Sequence, residues 1–158
     1  MKKYELTNDK KTINGVTVCR IVAVKSFGNV SEGDLGGWIE KEANLSQGLG
    51  LAWVADNAIV YGGATVRGDA KVSGNAVVCE DALINSRARV ADNAVVRGDT
   101  YVSNDAKVFE NAVVEGHAMV TDNAIIRGNA KIGGGVVMKE KAYAGGYTSI
   151  YGNKVIKQ

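Results

Sequence analysis

The chain predicts an all-β fold: a single-stranded parallel β-helix with triangular coils of eighteen residues and a β-hairpin cap at its N-terminus. Three observations carry this. Ala recurs every sixth residue at 52, 58, 64, 70, 76, 82, 88 and 94, skips at Thr100, and resumes at 106, 112, 118, 124 and 130. Two places after each stands an aliphatic, from Val54 and Val60 through Val96 to Ile126 and Ile132. Every third sixth-place residue is the same amide, Asn57, Asn75, Asn93, Asn111 and Asn129, which puts one turn of the coil at eighteen residues. A short period held this long marks a repeat architecture.

The unit reads Ala, variable, Val, variable, then two turn-formers, as in Ala70-Lys71-Val72-Ser73-Gly74-Asn75. Apolar and variable residues alternate over the first four places, the signature of a strand with one buried face. Places five and six are mostly Gly, Asp, Asn or Glu, which suit a corner. A helix is excluded, because a period of six smears the valines around an axis that turns about 100° per residue. Three strands to a coil put residues eighteen apart about 4.8 Å from one another. On that stacking the Asn column predicts a ladder of bonded side-chain amides.

Taken in order, residues 1–27 do not follow the hexad and are expected to cap the open end of the coil. Tyr4-Glu5-Leu6 reads as a short strand, Thr17 to Val24 as a second, with Asn14-Gly15 as a hairpin turn between them. Residues 28–51 read as one imperfect coil, with Ile39 and Leu45 six apart, followed by an insertion at Gln47 to Leu51. Residues 52–158 are the regular solenoid. Gly133-Gly134-Gly135 loosens the pattern, Tyr143, Tyr147 and Tyr151 bring aromatics to the last coils, and Val155-Ile156 is expected to close the lower end.

Units such as Val66-Arg67-Gly68-Asp69-Ala70-Lys71 and Val96-Arg97-Gly98-Asp99-Thr100-Tyr101 resemble the hexapeptide repeat of left-handed parallel β-helix proteins. The left hand is implied by this resemblance alone. Gly33-Asp34-Leu35-Gly36-Gly37-Trp38-Ile39-Glu40 and Asn44-Leu45-Ser46 resemble the opening of bacterial and prophage hexapeptide proteins often labelled acyltransferases. Homotrimers packed side by side are common among such proteins, so the resemblance implies a homo-oligomer, with a trimer favoured. It also implies a phage-type module whose partner is a host or virion protein.

The second place of each hexad points outward, so intervals of eighteen define three outer faces. One carries Ile59, Val77, Val95, Val113 and Lys131; a second carries Thr65, Leu83, Tyr101, Met119, Val137 and Val155. Such apolar rows point to an interface. The third stacks Lys71, Arg89 and Lys107, with Arg127 in the next coil, as a candidate anion track. Corner carboxylates such as Asp56, Asp69, Asp92, Asp105 and Glu110 are placed to neutralise it.

Composition narrows the function classes. Lys+Arg number 19 against Asp+Glu 17, so net charge gives no ground for a nucleic-acid or membrane partner. Met1 to Lys11 holds no apolar core of a signal peptide and no long apolar run follows, so a cytoplasmic or virion-associated protein is expected. Cys19 and Cys79 match no metal spacing and are expected to be reduced thiols. A single histidine, His117, cannot supply the three ligands of a zinc site from one chain.

His117 shares a corner column with Asp81 and Asp99, so a carboxylate can orient its imidazole as a general base. That gives one enzymatic alternative, acyl transfer from acyl-CoA with His117 as base and Asp99 as its orienting partner. Against it, no loop interrupts the repeat between Ala52 and Ile132 to shape an acceptor site. The reading preferred is a non-enzymatic binding or structural module without a cofactor, acting through flat faces and self-association, with inhibition of a host defence system as a further role.

Overall fold

The computed structural model describes all residues 1–158. Strands β1 (Tyr4–Ile13) and β2 (Val16–Ala23) form an antiparallel hairpin, and β3 (Leu35–Ile39) pairs antiparallel with β2. A 3-10 turn at Glu42–Asn44 follows, then eighteen two-residue strands from β4 (Trp53–Val54) to β21 (Val155–Ile156). These pair in parallel with the strand eighteen residues on, as in Arg89 with Lys107 and Val95 with Val113. Three sheets result, two of six strands and one of nine that includes the hairpin. No helix is long and apolar enough to cross a membrane.

The period works as expected because both inward places are filled. The repeated Ala and the Val or Ile two residues later are buried throughout the coil and form one core cluster of 38 residues. The strands are shorter than the four alternating residues suggested, since the fifth residue turns the chain into the left-handed region. Asp56, Glu80, Ser86, Asp92, Asn104, Glu110, Asp122 and Glu140 all sit there, at φ between 56° and 59°.

A left-handed non-Gly residue costs about 1–2 kcal/mol. Part of this is offset where its carboxylate accepts a backbone N–H from the next coil, as Asp56 does from Gly74, Asp92 from Glu110 and Asp122 from Glu140. In the column Gly98, Gly116, Gly134 even a Cβ is excluded, because it would lie 2.5–2.8 Å from the backbone of the glycine below.

The expected ladder of Asn amides is not formed. Asn57, Asn75, Asn93, Asn111 and Asn129 are exposed, and no hydrogen bond joins their side chains. Their backbone N–H groups instead donate to the carbonyls of Gly74, Asp92, Glu110, Gly128 and Gly146. The corner therefore stacks through its main chain, and the amide side chains face water.

The first strand of the cap is longer than the sequence suggested. It runs on to Ile13, with an irregularity between Leu6 and Lys10 that absorbs the polar Asn8-Asp9. Asn14 and Gly15, at φ 49° and 79°, make the two-residue hairpin turn. Lys3 is buried and donates from Nζ to the carbonyls of Gly50 and Ala52, while Tyr4 Oη donates to Leu45 O at 2.6 Å.

Gly36 and Gly37 are the joint between cap and coil. A Cβ at Gly36 would lie 2.6 Å from Ile21 and Trp53, and one at Gly37 would lie 2.6 Å from the Ala58 carbonyl. Trp38 pairs with Ile59 and Leu45 with Val66, both offset by three residues from the regular spacing. At the other end Val155–Ile156 pairs with Val137–Met138 above it; the inward Ile156 packs against the core, half-buried, while the outward Val155 is exposed.

Candidate functional site

The outward places fall in the three columns read from the spacing, each a row on one sheet. On the nine-stranded sheet Val77, Val95 and Val113 are half-buried neighbours. Ile59, at the head of that row, is only 7% exposed. The hairpin curls over it, and Val18, Trp38 and Ile59 form a separate small cluster with Ile13, Val16 and Tyr61 against it. Ile59 is thus taken up by the cap, and the open part of this row is three valines ending at exposed Lys131.

The second row is longer and less covered. Leu83, Tyr101, Met119, Val137 and Val155 stand on successive strands of one six-stranded sheet, with Met119 41% exposed. The third row, on the other six-stranded sheet, brings Lys71, Arg89 and Lys107 into register. None of the three makes a salt bridge or side-chain hydrogen bond.

Arg127, expected to extend that basic row, is committed elsewhere. Its guanidinium pairs with the Glu110 carboxylate and lies 5.0 Å from the Phe109 ring centre. The Arg127 partner, then the Gly128 N–H, hold the Glu110 carboxyl below its usual range. Asp105 is likewise bound through both oxygens by Arg87, at 2.7 Å each. The corner carboxylates therefore neutralise Arg87 and Arg127 and leave Arg89 and Lys107 unpaired.

His117 and Asp99 do come together, with Nδ1 3.3 Å from Oδ2. No hydrogen bond joins the two side chains. Both side chains are open to water, 76% and 57% exposed, and no surface hollow is lined by either. Within one chain the pair has no wall against which to hold a substrate.

The fourth-place column of the same corner carries a network that the sequence reading passed over. Arg97 donates to Glu115 from Nη2 at 2.7 Å, and Tyr151 Oη donates to the other oxygen of Glu115 at 2.8 Å. Tyr151 spans two coils because Gly133 lies between; a Cβ there would meet the tyrosine ring at 2.3 Å. Arg97 first, then Tyr151, lower the Glu115 carboxyl, and the same bond raises the Tyr151 phenol. Reading the fourth places at intervals of eighteen, Arg97, Glu115, Gly133, Tyr151, was the signal available.

The largest hollow, about 730 Å³, runs along a different corner and has no hydrophobic lining. Asp69, Arg87, Asp105, Asp122, Glu140 and Lys141 border it. Such a surface is a hydrated charge ladder, unlike the mostly apolar pockets that bury small molecules.

No family model matches the chain. Among curated proteins it is similar to the uncharacterized acetyltransferase YdcK of Escherichia coli (strain K12), at 35% identity over 80 residues. The match covers 45% of this chain and 24% of that relative, so the chain spans about a quarter of the length of the protein it matches. The parallel register of strands eighteen residues apart shows that the chain is a β-solenoid.

Proposed function

We propose that this solenoid is a binding module that associates side by side with copies of itself through the row Leu83, Tyr101, Met119, Val137. The continuity of that row carries the reading, since four outward apolar residues follow one another down one sheet with no charge among them. Solvent-facing rows of this kind mark interfaces, and Tyr and Met are enriched in them. The three valines of the neighbouring sheet form a shorter second patch. The valine and leucine-to-valine rows adjoin across one corner, so a trimer that uses both faces of each protomer is the favoured assembly.

Light scattering on a sizing column tests this with the native chain, Met119→Lys/Val137→Lys and Val95→Lys/Val113→Lys. A multiple of 16.6 kDa that Met119→Lys/Val137→Lys reduces to a folded monomer is expected. A native monomer at high concentration overturns the reading.

A second reading, acyl transfer with His117 as base and Asp99 orienting it, is favoured by their 3.3 Å approach and by the name of the relative. Acyl-CoA is the donor on that reading, and the acceptor site has to be completed by a neighbouring copy. Loss of acyl transfer in His117→Ala, with unchanged molar mass, supports it; a native protein inert toward acyl-CoA removes it.

A further inference from the structure

The self-association surface makes no use of the basic sheet, where two cations stand without partners. Arg89 and Lys107 face each other on adjacent strands, and like charges directly opposite destabilise a sheet. Their nearest carboxylates are engaged: Asp105 with Arg87, Glu110 with Arg127 and the Gly128 N–H, and one oxygen of Asp92 with the Glu110 N–H. The cation pair is therefore maintained beside two acids already paired with other arginines and a third, Asp92, that is bonded only to a backbone N–H.

Next to this pair lies a hollow of about 270 Å³ lined by Arg89, Ala91, Asp92, Lys107, Val108 and Phe109. It exists because the fourth place narrows from Phe109 to Ala91 one coil above, so the ring forms a step. Arg127 backs Phe109 and is itself fixed by Glu110, which keeps the ring in place without help from a ligand. A cavity of about 150 Å³ admits one benzene ring, so this hollow has room for a ring and a charged substituent. A second hollow beside the same two side chains is lined by the bonded pair Arg87 and Asp105 and has Ile125 as its one apolar residue, so it offers an aromatic ring no apolar step.

We propose that the notch between Phe109, Arg89 and Lys107 binds a small aromatic anion, an aryl phosphate or aryl carboxylate. The ring packs on Phe109 and Ala91. The anionic group sits between the guanidinium, which offers a planar fork of donors, and the ammonium. Asp92 on the rim disfavours ligands with a second negative group on the ring.

The test is a titration with phenyl phosphate followed by amide chemical shifts, with inorganic phosphate as the charge-only probe and phenol as the ring-only probe. Saturable shifts confined to residues around Ala91, Asp92 and Phe109 are expected, with Kd on the order of millimolar for a ligand this small. Arg89→Ala and Lys107→Ala are each expected to weaken phenyl phosphate about tenfold. Phe109→Leu, which keeps apolar packing but removes the aromatic face, is expected to weaken phenyl phosphate and leave inorganic phosphate unchanged. Equal affinity for phenyl and inorganic phosphate, shifts spread over Lys131, Lys139 and Lys154 as well, or native affinity in Arg89→Ala would each overturn the proposal.

Discussion

Val96→Asp and Arg97→Asp differ by one position and are predicted to differ by several kcal/mol. Val96 is fully buried, in register with Val78 above and Val114 below. Its removal loses about 1.5–3 kcal/mol of apolar burial. The carboxyl that replaces it has no donor among stacked valines and alanines, and desolvating it adds several kcal/mol more. A total above about 5 kcal/mol rivals the whole stability of an ordinary domain. Arg97 is half exposed and loses only a surface pair with Glu115 and gains a like charge beside it, together about 1 kcal/mol. Urea unfolding followed by circular dichroism measures both. Because neighbouring coils carry most of the coupling in a solenoid, hydrogen exchange should show the Val96→Asp damage centred on the coils containing Val78, Val96 and Val114. Equal losses for the two variants would refute the inward and outward assignment.

Gly37→Ala is expected to lose about 2–3 kcal/mol by forcing a methyl against the Ala58 carbonyl, and Gly33→Ala, which is left-handed but has open space around it, about 1 kcal/mol; thermal melts rank them. Thr100 is buried with its hydroxyl unpartnered, so Thr100→Val, equal in shape, is expected to raise stability by about 1–2 kcal/mol in urea titrations. In acid, Glu115 has a folded pKa below its ordinary 4.5, so its contribution is complete above that value and is lost as pH falls through the lowered one. The fall in melting temperature on acidification should therefore be shallower in Glu115→Gln. In alkali the sign reverses for Tyr4, whose phenol burial raises well above 10.0; its contribution is complete below pH 10 and is lost above it, and Tyr4→Phe should flatten that limb.

Period and stacking were legible because each inward place has one job, repeated on every coil. Ala at the corner and Val on the strand are dictated by the space inside a narrow triangle, so one residue type recurs and the interval shows. The outer rows followed from the same counting, down to the register of Lys71, Arg89 and Lys107. What escaped involved relations outside the period. Ile59 has the same place in its hexad as Val77, and nothing local says that a hairpin from residues 4–23 will cover it. Tyr151 reaches Glu115 only because Gly133 is missing a side chain, a fact about three coils together. The Asn column misled because a repeated amide satisfies a corner equally well through its backbone. His117 and Asp99 were paired correctly by column, but spacing contains no information about whether a hollow adjoins them.

The central claim, lateral self-association of a short solenoid, is tested most directly by solution X-ray scattering across a concentration series. Seven coils at about 4.8 Å give a rod of roughly 35 Å beneath the cap. The predicted result is a particle about three times 16.6 kDa whose cross-section grows while its length stays near that of one protomer. A mass of one chain at every concentration, or a mass that rises together with particle length, would contradict it.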